Sequence, residues 1–256
     1  QSLKNLSHIY IGTPEHVFIP SIEKLKNFFN KDINLFLETP ILGPVSNYKI
    51  LKYKKYFNKI LVAEDYIFSP IFDCLKELKK NLNIEKIINT DFINSGYHLH
   101  SLAFGFKLSK SKKIFVSNKY NKNYYFKFYD QKVNILNKEN LEKTIVFNTL
   151  KEKITFFHLK EFGKINVEIE NKSSENKIFF SFNFNKLSLN VKNKDDLFRI
   201  YSCINMFKKH ETENLSSIDH NIYISLIVKF VTKYSFFSDL YFYRRSLLNS
   251  FFKFIN

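Results

Sequence analysis

The stretch His8-Ile-Tyr-Ile-Gly-Thr-Pro-Glu-His16 decides the fold of this chain, together with the later stretch Ile33-Asn-Leu-Phe-Leu-Glu-Thr-Pro40. Each is a short apolar run that a proline ends, and proline cannot donate the hydrogen bond that a strand gives to its neighbour. Between them, apolar side chains recur at helical spacing over residues 22–29. The pattern predicts a strand over residues 9–13, a helix, and a second strand over residues 33–38.

The way these two strands are joined predicts where a ligand would bind. Successive strands connected through one helix are expected to be parallel, with a right-handed crossover. Their carboxyl ends, at Thr13 and at Glu38-Thr39, then emerge on the same edge of the sheet. In open parallel sheets this is the edge that binds ligands.

The composition indicates a globular protein with a diffuse positive charge. The 256 residues are 45% hydrophobic, enough for a sizeable core in one large or two modest domains. The net charge of +16 comes from lysines spread along the whole chain, without a compact basic block. This favours a compositional bias over a nucleic-acid site, and small acidic substrates remain compatible with it.

Cysteine use and hydropathy predict a cytoplasmic protein. Cys74 and Cys203 lie in predicted helices without a C-x-x-C partner, so reduced thiols are favoured over a disulfide or a metal site. No window reaches the ~18 uncharged apolar residues of a membrane span, and the amino terminus has no targeting signal. No metal ligand set is predicted.

The rest of the chain divides into a helical part and a part with strand periodicity. A helix over 45–57, a third parallel strand over 60–63 and a helix from Pro70 come first, then a short strand within 84–92 and a helix over 95–106. From residue 113 the period changes to two, which is typical of an antiparallel sheet. About seven strands are predicted there: 114–117, 124–129, 144–148, 154–159, 164–170, 177–184 and 186–191. Helices return over 197–207, 218–234 and 238–254. We place a domain boundary near residues 65–80, with domains over 1–68 and 69–256.

Three places in the chain could carry chemistry, and each has a structural alternative. Glu38 and Thr39 could contact a ligand at the strand end or cap the following turn. His98, in Asn94-Ser-Gly-Tyr-His98, could transfer protons, because Gly96 allows close backbone approach, or it could be a structural histidine. His16 could stack at the sheet edge or simply begin a helix.

Five motifs, in order along the chain, resemble the Gfo/Idh/MocA oxidoreductases, the relatives of glucose-fructose oxidoreductase and inositol dehydrogenase. The opening strand and turn through His16 resemble their hydrophobic strand and Thr-Pro-x-x-x-His, and Leu37-Glu-Thr-Pro resembles their Glu-Lys-Pro. Asn94-Ser-Gly-Tyr-His98, with Leu102 and Gly105 after it, resembles their Asp-x-Gly-x-His motif. The remaining two matches are Ala63-Glu-Asp-Tyr-Ile-Phe-Ser-Pro70 and the late helices at 196–200 and 217–231.

The resemblance implies a fold, a cofactor and a set of site residues. The fold is an α/β part joined to an α+β part: a partial Rossmann-like parallel sheet, then a mostly antiparallel open-sheet domain with C-terminal helices. The cofactor is NAD or NADP, and the open sheet is expected to form a homo-oligomer. The implied cofactor-binding residues are Gly12, Thr13, Pro14, His16 and Glu38. The implied catalytic residues are His98 as acid or base, Asn94 in the aspartate position and Thr39 in the lysine position.

The sequence departs from the family in ways that leave two functions open. Thr39 replaces the lysine and Asn94 replaces the aspartate, so two usual catalytic side chains are changed. No GxGxxG loop occurs, so we expect this chain by itself to bind dinucleotide poorly, and we expect the family's first strand, helix and strand, which would carry that loop, to be missing from it. The leading interpretation is an oxidoreductase transferring hydride at a carbinol of a sugar or nucleotide sugar. The alternative is a non-catalytic relative that serves as a binding or partner subunit. A third, an anionic-surface binder through 235–253, is weaker than burial of those aromatic residues.

Overall fold

The computed structural model describes residues 6–25, 31–38, 43–63, 70–82, 86–93, 102, 105, 113–119, 123–128, 131–136, 144–157, 164–183, 216–233 and 239–255. The chain forms two compact units. The first comprises residues 1–64, 211–233 and 244–256, and the second comprises 65–210 and 234–243. The sequence-based division between residues 68 and 69 differs from these units: the first stretch of the first unit ends at residue 64, and residues 211–233 and 244–256 return to that unit.

The first unit is built on a four-stranded sheet in the order β1-β2-β3-β12. Its strands are β1 (His8–Ile11), β2 (Asn34–Glu38), β3 (Lys59–Ala63) and the short β12 (Ser216–Ser217). Its helices are α1 (Phe18–Lys24), α2 (Pro44–Leu51), α4 (Ile218–Lys233) and α5 (Arg244–Ile255). β1, β2 and β3 are mutually parallel, as predicted, and β12 pairs antiparallel with β3.

The core of the first unit lies on both faces of the parallel strands. In β2, consecutive residues point to opposite faces, yet Leu35, Phe36 and Leu37 are all buried. Strands covered on both faces read as continuous apolar runs, which explains why the opening stretches lack alternation. The buried cluster around them includes Phe18 and Ile22 of α1.

The second unit is built on a nine-stranded sheet in the order β11-β10-β9-β8-β4-β7-β6-β5-β13. Among the described strands of this sheet, only β4 and β7 pair in parallel, so the sheet is mostly antiparallel, as predicted. The strands are β4 (Asn89–Ile93), β5 (Lys113–Lys119), β6 (Asn123–Lys127), β7 (Lys132–Leu136), β8 (Thr144–Asn148), β9 (Glu152–Phe157), β10 (Lys164–Asn171), β11 (Lys177–Asn183) and β13 (Asp239–Tyr243). Helix α3 (Pro70–Leu82) precedes them.

The two faces of this sheet differ in polarity. One cross-strand row contains Asp91, Asn134, Val146, Thr155, Glu168 and Phe179. We call the face that carries this row the polar face. The opposite row contains Thr90, Val133, Phe147, Ile154, Ile169 and Ile178. The apolar face is closely packed: a Cβ added at Gly105 would lie 2.6 Å from the ring of Phe128 and 2.9 Å from Val133.

Three sequence-based assignments require correction or completion. The helix predicted over 238–254 begins only at Arg244, because residues 239–243 pair with β5 as β13. Strand β7 was not predicted, and with it, the central strand β4 and the edge strand β13 the sheet exceeds the expected seven strands. The predicted strand at 186–191, the helix at 197–207 and most of the helix at 95–106 lie outside the described residues.

The described helices contain no segment long and apolar enough to cross a membrane.

Candidate functional site

The turn after β1 carries the first predicted site residues. Gly12, Thr13 and Pro14 lead from the strand into a short 3-10 helix, Glu15–Val17, in which the N–H of Val17 donates to the carbonyl of Pro14. The hydroxyl oxygen of Thr13 is buried and has no hydrogen-bond partner in the structure. A buried hydroxyl without a partner costs free energy, so this atom is suited to bond a ligand at the strand end.

A hydrogen bond ties this turn to the segment that follows β2. Oε1 of Glu15 accepts a hydrogen bond of 3.0 Å from the backbone N–H of Gly43, the N-cap residue of α2. The two residues are 28 positions apart in sequence. The connection therefore fixes the carboxyl-end loops of two neighbouring parallel strands to each other.

Helix α2 is held in turn by a buried pair of carboxamides. Asn47 donates to the Gly43 carbonyl from its backbone N–H at 3.0 Å and from Nδ2 at 2.9 Å. Nδ2 of Asn221, in α4, donates to Oδ1 of Asn47 at 2.7 Å. Both asparagines are 0% exposed, so the bond is shielded from water and binds α4 to α2.

The structure brings together only part of the predicted site. Gly12, Pro14 and His16 are exposed at the turn, and His16 lies in the 3-10 helix just before α1, in agreement with its reading as a helix start. Glu38 is half-buried at the last position of β2, opposite Ala63 of β3. Thr39, Asn94 and His98 lie outside the described residues.

Sequence reasoning missed the residues that hold the turn in place. In the sequence Glu15 belongs to the motif that ends at His16, and no local pattern marks Asn47 or Asn221 as site residues. A signal existed for Gly43, since glycine directly before a proline is typical of a helix start. The Asn47–Asn221 pair could not be found, because 174 residues separate the partners.

A second polar cluster lies at the centre of the polar face. Oδ1 of Asp91 accepts hydrogen bonds from Nδ2 of Asn89, at 3.0 Å, and from Nδ2 of Asn134. Oδ2 of Asp91 accepts from Nδ2 of Asn148 at 3.1 Å. One carboxylate thus joins β4, β7 and β8. Among the described residues, no group of histidine, cysteine, aspartate or glutamate is arranged to hold a metal ion.

Among the described residues, a clear pKa shift is found at Lys177, which lies away from these clusters in the β10–β11 hairpin. The pKa of Lys177 is raised, first by its hydrogen bond to Glu168 and then by that carboxylate's charge. The Nζ to Oε1 distance is 2.7 Å. Because Lys177 is exposed, this ion pair links the two strands of the hairpin and gives no indication of a ligand-binding or catalytic site.

Comparison with known proteins identifies the architecture. No protein-family model matches the chain, and no curated protein matches it. Among solved structures, a super-repressor mutant of Gal80p from Saccharomyces cerevisiae is similar, with a TM-score of 0.59 and 12% identity over 91% of this chain and 79% of that chain. A second Gal80p structure, of the transcriptional regulator from Kluyveromyces lactis, is also similar.

Two similar structures are enzymes with bound nicotinamide cofactors. An oxidoreductase from Agrobacterium radiobacter, in complex with NAD+, L-tartaric acid and magnesium, matches with a TM-score of 0.61 and 9% identity over 95% of this chain and 81% of that chain. KijD10, a 3-ketoreductase from Actinomadura kijaniata in complex with TDP-benzene and NADP, matches with a TM-score of 0.58 and 8% identity over 90% and 78%. These neighbours have the Gfo/Idh/MocA-type architecture, and the resemblance seen in the motifs is confirmed as a shared fold.

Proposed function

We propose that this chain is a nicotinamide-dependent oxidoreductase acting at a carbinol, or the corresponding ketone, of a sugar or nucleotide sugar. One observation carries the proposal: the partnerless hydroxyl of Thr13 is buried at the carboxyl end of a parallel strand. The fold is shared with proteins whose structures contain NAD+ or NADP.

The residues at this edge fit a nicotinamide cofactor. A hydroxyl such as that of Thr13 can donate a hydrogen bond to a carboxamide or accept one from a ribose hydroxyl. We assign Gly12, Thr13, Pro14 and His16 to the cofactor's surroundings and the Glu38 carboxylate to its ribose. When bound, the nicotinamide supplies the hydride-transfer chemistry that no side chain can.

We assign the proton transfer to His98. An imidazole titrates near neutral pH, so it can take the hydroxyl proton of a substrate being oxidised or return it during reduction. Asn94 would orient the substrate through hydrogen bonds, and Thr39 would donate one from the position where related enzymes have lysine. Neither side chain carries a charge, so binding is expected to rely on hydrogen bonds at those two positions.

A non-catalytic function is the second candidate, and a specific observation favours it. The same fold occurs in Gal80p, a transcriptional regulator. The replacement of lysine by Thr39 and of aspartate by Asn94 is what a degenerate site would look like. In that case the strand edge would bind a ligand, or a partner protein, without turning it over.

Turnover measurements separate the two candidates. Full-length protein is assayed with NAD and with NADP against a panel of sugars and nucleotide sugars, with His98→Ala and Thr39→Lys beside the wild type. For an enzyme, His98→Ala is expected to lower turnover about a hundredfold or more, the scale of losing a general acid or base. Turnover that survives His98→Ala would refute the role of His98. No turnover in any of the three proteins would favour the non-catalytic function.

We also propose that the protein is cytoplasmic, acts in carbohydrate metabolism and self-associates through the polar face. The reduced state of the buried Cys74 side chain is compatible with a reducing compartment. On the polar face, Phe179 is 69% exposed. Oδ1 of Asn134 is buried without a hydrogen-bond partner on the same face. An exposed aromatic side chain on an open sheet face is compatible with a surface that a second copy covers.

A further inference from the structure

The hydrogen bond between Glu15 and Gly43 joins the two loops at which the cofactor is expected. We propose that Glu15 is a positioning residue that fixes the turn at residues 12–14 against the start of α2. The importance of this positioning for cofactor binding rests on the proposed function, in which the Thr13 hydroxyl of this turn bonds to the cofactor. The positioning itself is a property of the fold and can be tested without any cofactor.

The turn is short and stiff, so holding Glu15 also holds Thr13. Only Pro14 separates the two residues, and the proline ring restricts its own φ, here −57°. The carbonyl of Pro14 accepts the 2.9 Å hydrogen bond from the N–H of Val17, which closes the 3-10 turn. With Pro14 fixed, few backbone torsions remain free between the Glu15 anchor and the Thr13 side chain.

The other end of the hydrogen bond is a helix terminus that lacks its own cap. Gly43 has no side chain to cap α2, and Pro44 at the first helical position has no N–H. In a capping box, a carboxylate three residues into the helix accepts a hydrogen bond from the N-cap N–H, but α2 has Ser46 there. Glu15 supplies that carboxylate from outside the helix. A negative charge at a helix amino terminus is also favoured by the helix dipole.

Position 43 is shaped for this contact. A Cβ added there would lie 2.8 Å from Oε1 of Glu15 and 3.1 Å from Oγ of Ser46. The backbone at Gly43, with φ −82° and ψ 116°, is one that any residue can adopt, so glycine is not required for its torsions. The close approach of the carboxylate therefore explains the glycine.

The positioning role of Glu15 can be tested by NMR, because the chain has few glycines and their amide signals are easy to assign. Labelling with 15N-glycine leaves five backbone amide signals, from Gly12, Gly43, Gly96, Gly105 and Gly163. Gly43→Ala identifies the Gly43 signal by its loss, and Gly12→Ala and Gly105→Ala identify the other two that matter. Gly12 then reports on the turn, Gly43 on the bond, and Gly105 of the second unit is the internal control.

Glu15→Ala is compared with Glu15→Gln, which keeps the acceptor oxygen. In Glu15→Ala, we expect hydrogen exchange of the Gly43 amide to become about tenfold faster or more, because a bond to a charged group is lost. The Gly12 signal should move as well, and the Gly105 signal should not. Glu15→Gln should restore both. An unchanged Gly43 signal, or a change at Gly43 that leaves Gly12 unmoved, would overturn the positioning role.

Adding NADH separates this inference from the proposed function. Because this chain by itself is expected to bind dinucleotide poorly, NADH is added at high concentration; in the wild type the Gly12 signal should then shift, and Glu15→Ala should require about tenfold more NADH for the same shift. If Gly12 ignores NADH while the Glu15→Ala changes occur as expected, the cofactor assignment fails and the positioning role stands. If NADH shifts Gly12 equally in wild type and Glu15→Ala, the positioning role is overturned.

Discussion

Gly43 and Glu15 are coupled at the residue scale, and a double-mutant cycle can measure that coupling. In Gly43→Ala the new methyl group displaces the Glu15 carboxylate, so we expect the free energy of unfolding to fall by about 1.5–2 kcal/mol. In a Glu15→Ala background the carboxylate is absent, and the same change should cost only about 0.5 kcal/mol, as at an ordinary N-cap. Urea unfolding of the four proteins gives both values. Equal costs in the two backgrounds would contradict the contact.

The sequence indicated which residues begin the site but not what holds them. Thr13 and Glu38 could be placed at strand ends because apolar runs stopped by prolines are local signals. The hydrogen bond of Glu15 to Gly43 was not predictable, since nothing in a 28-residue separation specifies which loop amide a carboxylate meets. His98 remains a prediction, because its segment lies outside the described residues.

At the scale of elements, α4 is bonded to α2 through one buried amide pair. Asn221→Ala removes the donor and leaves Oδ1 of Asn47 in a dry interior, so we expect a loss of about 1–3 kcal/mol of stability. A matched control is Asn58→Ala, whose side chain makes a surface hydrogen bond of 3.0 Å to Asn34. The control should change stability by less than about 0.5 kcal/mol. Thermal unfolding of the two variants is the measurement, and equal effects would contradict the buried role of Asn221.

The centre of the large sheet depends on a single carboxylate. Asp91→Ala leaves the Nδ2 groups of Asn89, Asn134 and Asn148 without that acceptor, and we expect a loss of about 2–4 kcal/mol. Asp91→Asn keeps one acceptor oxygen and should cost less than Asp91→Ala. Urea unfolding gives both values. A neutral Asp91→Ala would show that the three amides find other partners and that the carboxylate does not join the strands.

Element prediction succeeded where the period was clear and failed where it was not. Strand β8 was predicted at 144–148 and is observed there, since flanking turns and β-branched residues agree. Strand β7 was missed because its five residues are too few to show a clear period, although Val133, Asn134 and Ile135 alternate apolar and polar side chains and all three are buried. The pattern of residues 239–243 predicts a helix because aromatic residues suit either structure, and the pairing of β13 with β5 makes this segment a strand.

At the scale of the whole molecule, substitutions at two adjacent residues of β11 can test whether the protein self-associates through the polar face. Phe179 lies on the polar face and Ile178 on the opposite face of the same strand, with exposed fractions of 69% and 51%. We expect analytical ultracentrifugation of the wild type to show an oligomer. Phe179→Lys should shift the equilibrium toward monomer, because association would then bury the lysine charge in the interface. Ile178→Lys should leave the association unchanged. A wild type that is monomeric at all concentrations would contradict the proposal.

The sequence predicted that a parallel sheet precedes an antiparallel one, but it did not predict that the late helices return to the first unit. Periodicity changes from helical to two at residue 113, which separates a parallel part from an antiparallel part. That α4 and α5 return to the first unit depends on contacts such as the Lys54–Asp219 ion pair of 2.7 Å, between residues 165 positions apart. Local patterns contain no information about such a return.

The central claim is that the strand edge at Thr13 binds a nicotinamide cofactor, and the most direct test is a fluorescence titration of NADH and NADPH. Full-length wild type is compared with Thr13→Val, which removes only the hydroxyl. We predict saturable binding of at least one cofactor, weakened about tenfold by Thr13→Val because a hydrogen bond is lost. Stability should be unchanged or slightly raised, since the hydroxyl has no partner in the protein. No binding of either cofactor, or binding that Thr13→Val leaves unaltered, would contradict the claim.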